Sequence, residues 1–213
     1  MNWLKRNGLI LALMLVPALV ILLLWDRFPA EVPIHWNLKG EIDGYAPKFP
    51  GLWYGPLAML VINVIFWLIP VLDPKKNTDS FQKTLNRIQV IFNVFFVGIM
   101  IITAAVALGY EVAVDRWVIN GVLLLFALLG NYMGKIRPNY FMGIRTPWTL
   151  ESEDNWVKTH RMAAKLWVGG AIVLMIINMF VSPDIFWPIM MAGVLVMVLI
   201  PAGYSLYLYK NPS

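Results

Sequence analysis

Apolar residues fall into six long runs separated by polar segments. The runs are Gly8–Trp25, Leu52–Leu72, Ile88–Leu108, Trp117–Gly134, Leu166–Val181 and Phe186–Tyr207, and none contains Asp, Glu, Lys, Arg or His. A helix needs roughly 20 apolar residues to cross the hydrocarbon core of a bilayer. The pattern therefore predicts an all-α integral membrane protein with six transmembrane helices. The first run follows Lys5 and Arg6, as a secretory leader would. Its apolar stretch is long for a leader, and its exit, Asp26-Arg27-Phe28-Pro29, lacks a small-x-small cleavage site. An uncleaved first helix is expected, bent at Pro17 where one backbone hydrogen bond is lost.

Composition agrees with the pattern. Of the 213 residues, 60% are hydrophobic and 14% charged, against about a quarter charged in a soluble domain. Ten Trp suit headgroup regions, where an apolar ring and one N–H donor are both satisfied. The net charge of +5 is spread between the apolar runs, which reads as topology control and not as a surface for direct nucleic-acid binding. With no Cys, disulfides, thiolate metal sites and Cys nucleophiles are excluded.

Lys and Arg also set the expected orientation. The alternate segments holding Lys5, Arg6, Lys75, Lys76, Lys83, Arg87, the basic residues of 135–165 and Lys210 carry thirteen in all. The other side holds four: Arg27, Lys39, Lys48 and Arg116. By the positive-inside rule both termini are cytoplasmic. The expected organisation is a single membrane domain over 1–213. It comprises a two-span unit, 1–72, with an outer loop, 26–51, and a four-span unit, 88–213, with an inner loop, 135–165.

Val32, Ile34 and Trp36 alternate in the outer loop, and Gly40 and Asp43-Gly44 follow, predicting short extended segments joined by turns, with Asp43-Gly44 as one turn. In the inner loop, Pro138 and Pro147 predict an irregular first half. From about Glu151 the pattern turns helical, with acids in the first turn and Asp154 and Lys158 four residues apart. This predicts an amphipathic interfacial helix leading into the fifth span, with Glu153, Trp156 and His160 on one face. Gly130 and Gly134 form a small-xxx-small pair suited to close helix approach, either in packing inside the chain or in a dimer seam.

Candidate chemistry is sparse. A charge at mid-bilayer costs on the order of 3 kcal/mol or more, and no span keeps one, which argues against an ion-coupled transporter or a proton relay. Asn63, Asn93, Asn120, Asn131 and Asn178 are expected to join helices by hydrogen bonds. The two histidines, His35 and His160, lie on opposite sides of the predicted bilayer and cannot share a site. His35, Asn37, Glu41 and Asp43 could ligate a cation or simply cap turns. His160 with Glu151, Glu153 and Asp154 could form a metal cluster or an acid–base set, but no HExxH, GxSxG or phosphate-loop spacing accompanies it. Those acids are explained as well by a dipole-matched helix start. No metal or other cofactor is expected. Arg137, Arg145 and Arg161 could hold anionic lipid headgroups or anchor topology.

Two segments carry a resemblance. Ile34-His35-Trp36-Asn37 with Gly40, Asp43 and Gly44 resembles the IPxHWNxxGxxDG signature of a small domain of unknown function. Asn139–Trp167, NYFMGIRTPWTLESEDNWVKTHRMAAKLW, resembles the signature block of the sporulation-delaying-protein immunity family (SdpI-like), with Ala164 where the family pattern has Gly. The resemblance covers almost the whole chain. It implies a six-span protein of the bacterial cell (inner) membrane that confers resistance to a secreted, membrane-active toxin peptide. It further implies signalling by capture of a cytoplasmic autorepressor when toxin is bound.

On this reading the protein is not an enzyme. Toxin would be bound by outer-loop residues His35, Trp36, Asn37, Gly40, Asp43 and Gly44 with Trp53. A partner would be met by Asn139, Arg145, Thr146, Pro147, Trp148, Glu151, Trp156, His160 and Arg161. The competing readings are a transporter or flippase using Pro17, Pro70, Pro188 and Pro201 as helix breaks, an intramembrane enzyme using His160, and a sensor of envelope stress.

Overall fold

A computed structural model describes residues 3–73 and 79–211; Lys75 and Lys76, counted above for orientation, lie outside them. The elements are α1 (Trp3–Leu23), a 3-10 turn (Trp25–Arg27), β1 (Glu31–Trp36), β2 (Ile42–Pro47), the short turn α2 (Lys48–Gly51), α3 (Tyr54–Leu72), α4 (Asp79–Ala107), α5 (Val114–Met133), α6 (Pro147–Glu151), α7 (Glu153–Phe180) and α8 (Pro183–Lys210).

Among the described residues, six helices are long and apolar enough to cross a membrane, each containing most of one predicted run. The protein is a multi-pass membrane protein. Three helices outrun the expectation: α4, α7 and α8 have 29, 28 and 28 residues, about 42 Å or more in length. The expected interfacial helix and the fifth span are thus one element, α7. Pro17, Pro70, Pro188 and Pro201 all lie inside continuous helices and do not break them.

By its internal contacts the chain divides into two compact units, Met1–Trp67 with Gln89–Val122, and Leu68–Ile88 with Leu123–Ser213. In the first, β1 and β2 pair antiparallel. A two-stranded ribbon leaves both edges unpaired, and lipid cannot satisfy them, so the hairpin belongs at an aqueous end of the helices. It is fastened there by Phe28, Val32, Ile21, Leu52 and Ala107, all buried, with Trp53 packed against them. Gly51 is required at this junction, because a Cβ would stand 2.6 Å from Val32 Cγ2.

The hairpin departs from the alternation read from sequence. Its register slips between Pro33 and His35 and again between His35 and Trp36, so Pro33 is buried with Val32 while Ile34 is exposed. Nor is Asp43-Gly44 the turn: both lie in β2. The chain reverses at Asn37–Gly40 instead. There Asn37 Oδ1 accepts the Lys39 and Glu41 N–H groups at 2.8 and 3.1 Å, and Gly40 takes φ +78°, a left-handed conformation that favours Gly.

Deeper in the same unit, Asn63 joins α3 to α4. Its Nδ2 donates to Asn93 Oδ1 (2.9 Å), while its Oδ1 accepts from Gln89 Nε2 (2.8 Å) and Asn93 Nδ2 (2.9 Å). All three side chains are buried. Asn120 instead bonds its own helix, at the Arg116 carbonyl. The buried Asn178 Nδ2 has no partner among the described residues. The expectation of Asn as interhelical linkage therefore holds for Asn63 and Asn93 but not for these two.

In the second unit, Gly130 of α5 lies against α7 so closely that a Cβ would stand 2.7 Å from Trp167 Cβ and 3.2 Å from Val168 N. The Gly130-x-x-x-Gly134 pair serves packing inside the chain.

Candidate functional site

The two residue sets proposed from sequence lie in different units. The outer-loop set gathers on the hairpin of the first unit. His35 Nδ1 and Asp43 Oδ1 lie 2.5 Å apart across the strands, with side chains 70% and 43% exposed. Asn37 Nδ2 donates to Glu41 Oε2 at 2.8 Å. The residues considered as cation ligands thus satisfy one another in pairs, and no cluster of three or more His or acidic groups occurs among the described residues. Gly44 faces His35, whose Cβ would stand 2.9 Å from an added Cβ, and Gly40 packs as tightly on the Asp115 backbone. Trp53 belongs to the apolar cluster under the hairpin. Trp36 differs from all of these: its indole N–H is buried without an acceptor among the described residues.

The inner-loop set is largely internal. Asn139 folds the segment after α5, its Oδ1 accepting from Phe141 N and Met142 N at 2.8 and 2.7 Å. Its Nδ2 donates to the Arg137 and Met142 carbonyls. Gly143 follows with φ +100°. Pro147, expected to keep this stretch irregular, opens α6. Thr146 is its N-cap, and the Thr149 hydroxyl reaches back to Thr146 N at 2.9 Å in a capping box.

Trp156 is fully buried and donates to the Ile136 carbonyl at 2.8 Å. It stacks on His160 with centroids 4.1 Å apart and planes 19° apart. His160 Nε2 accepts the Ile144 N–H at 3.0 Å, which leaves Nδ1 as donor to the Trp156 carbonyl at 2.8 Å. Both nitrogens are engaged by backbone. Of the acids once grouped with it, Glu153 pairs with Arg137 (3.5 Å) and Asp154 with Lys158 (2.8 Å), while Glu151 is exposed. No acid–base set forms around His160.

Ser205 of α8 is the residue that sequence reasoning passed over. Its Oγ accepts from Trp148 Nε1 and lies 3.2 Å from Thr146 Oγ1, and its carbonyl accepts from Asn155 Nδ2 at 2.9 Å. Thr159 in turn donates to Asn155 Oδ1 at 3.0 Å. The sequence signal was faint: one hydroxyl inside an apolar run. On the surface of this block remain Arg145, whose guanidinium donates to the Tyr140 carbonyl at 2.6 Å, together with Pro147, Glu151 and Arg161.

Comparison with known proteins matches both regions. Residues 135–205 match the SdpI/YfhL protein family, and residues 12–60 match a domain of unknown function (DUF1648). The chain is 26% identical over 207 residues to Immunity protein SdpI of Bacillus subtilis (strain 168), covering 97% of each chain. No solved structure matches it. The first match contains the whole knot of Asn139, Thr146, Trp148, Trp156, His160 and Ser205, and the second contains the hairpin with its signature residues. The chain is thus similar to the SdpI/YfhL protein family over residues 135–205 and to the domain of unknown function over residues 12–60.

Proposed function

We propose that the protein is an immunity protein of the bacterial cell membrane, binding a secreted, membrane-active toxin peptide at the hairpin end of its first unit and performing no chemistry of its own. The observation that carries this reading is the end-to-end similarity to an immunity protein. The distribution of Lys and Arg supports both termini being cytoplasmic, which puts the hairpin outside, where a secreted toxin arrives. A binding role also suits His160, whose two nitrogens are bound to backbone and are not free for proton transfer.

Signalling through a cytoplasmic repressor would use the exposed side chains of the inner block, Arg145, Glu151 and Arg161. Trp148 and Trp156, held inside the block, shape that surface. The same basic side chains suit anionic lipid headgroups.

The test is survival. Sensitive bacteria lacking immunity express the chain and are challenged with the toxin peptide from which the family protects. Protection is expected, to be lost with Trp36→Ala and kept with Arg145→Ala. Absence of protection by the unaltered chain, with membrane insertion confirmed, overturns the reading.

A further inference from the structure

The first unit holds an apolar cavity of about 230 Å³ between α1, the hairpin, α3 and α4, lined among others by Val20, Trp36, Gly55, Val97, Ile101 and Thr103. That is roughly eight times the volume of a water molecule. The lining is mainly aliphatic and aromatic, its side-chain polar groups being those of Thr103, Tyr54 and Trp36. The space suits an apolar group. Trp36 also borders an open depression between the hairpin and the α4–α5 connection, which it shares with Glu41, Tyr110 and Glu111. None of the residues lining that depression is Lys or Arg.

Inside a bilayer an apolar slot gains nothing over lipid tails, which are equally apolar. Selectivity must come from the polar rim. Glu41 and Glu111 line the open depression, and Trp36, which borders both spaces, carries a buried N–H without an acceptor among the described residues. The carboxylates repel the phosphate of an anionic lipid and attract Lys or Arg side chains. The unpaired N–H requires a carbonyl or similar oxygen.

We propose that cavity and depression together bind a cationic amphipathic peptide. Its apolar side chains fill the cavity, its basic side chains meet Glu41 and Glu111, and a carbonyl oxygen accepts the Trp36 N–H. This rests on the toxin-binding reading above and adds the chemical class of the toxin and the place where it sits.

The test uses the full chain in phosphatidylcholine nanodiscs, with a photoreactive benzophenone side chain in place of Ile101. The probes are a synthetic amphipathic Leu/Lys peptide of about 20 residues and its Leu/Glu counterpart. Irradiation is expected to give adducts with the Leu/Lys peptide and far fewer with the Leu/Glu peptide. Filling the cavity with Val97→Trp or Val20→Phe should lower adduct yield roughly tenfold, the effect of about 1.4 kcal/mol. The exposed pair Glu41→Gln and Glu111→Gln should lower it up to about fivefold, the range for solvent-screened charges, and carries the test if the cavity variants do not insert. Adducts with phosphatidylcholine alone, or equal adducts with both peptides, overturn the proposal. Neither result touches the survival assay, so the site can fail while the immunity reading stands.

Discussion

At His160 the two ring nitrogens have fixed and opposite roles, acceptor at Nε2 and donor at Nδ1. The ring is also one face of a stack whose other face is the fully buried Trp156. Gly143 completes the arrangement: with φ +100° and His160 Nε2 directly over the position of a Cβ, no other residue fits without moving the ring. Removing the imidazole with His160→Ala leaves the Ile144 N–H without its acceptor and opens a void beside Trp156. The two costs together come to about 2–4 kcal/mol. Thermal unfolding in detergent is expected to show that loss. Glu151→Gln, at an exposed position two residues before α7, should stay within about 0.5 kcal/mol. Equal effects from the two substitutions would mean that the histidine is not a keystone of the fold.

At the scale of elements, short polar side chains set the connections. Asn37 supplies the side-chain bonds of the hairpin turn beside the left-handed Gly40: it accepts two backbone N–H groups and donates to Glu41. Asn37→Ala should destabilise the turn by about 1–2 kcal/mol and speed hydrogen exchange at the Lys39 and Glu41 amides, leaving α3 and α4 protected. Asn63 acts between helices, and Asn63→Leu would strand Gln89 and an Asn93 amide inside the membrane. Interhelical bonds of this kind average about 0.6 kcal/mol and reach about 1.7, so a loss of about 1–3 kcal/mol is expected in reversible unfolding. The triple replacement of Asn63, Asn93 and Gln89 by Leu should cost less than the single one, because it strands nothing. The helices were legible from sequence because an apolar run of about 20 residues is a signal carried by neighbours along the chain. The turn was not. Asn37–Gly40 and Asp43-Gly44 both have turn composition, and the choice between them was made by packing: Gly44 must lie in a strand opposite His35. Ser205 was illegible for the same reason, since its importance comes from Trp148, 57 positions away.

For the whole molecule the deciding property is orientation, because the toxin reading requires the hairpin to be extracellular. The thirteen-to-four bias of Lys and Arg argues for this strongly, since each basic side chain left on the wrong side resists translocation. The hairpin adds an independent argument about depth but not about side: its open edges demand water, and water lies at both surfaces. A chain without Cys allows a clean test. Lys39→Cys at the exposed hairpin tip and Lys83→Cys on the exposed face of α4 each introduce one thiol, at opposite ends of the predicted topology. In intact cells a membrane-impermeant maleimide should label the first and spare the second. After permeabilisation both should react, which separates the wrong side from mere burial. The reverse pattern would turn the hairpin, its cavity and its carboxylates toward the cytoplasm. The surface formed by Arg145, Glu151 and Arg161 would then face the arriving toxin, and a cationic peptide would meet two arginines where the present reading offers it two glutamates.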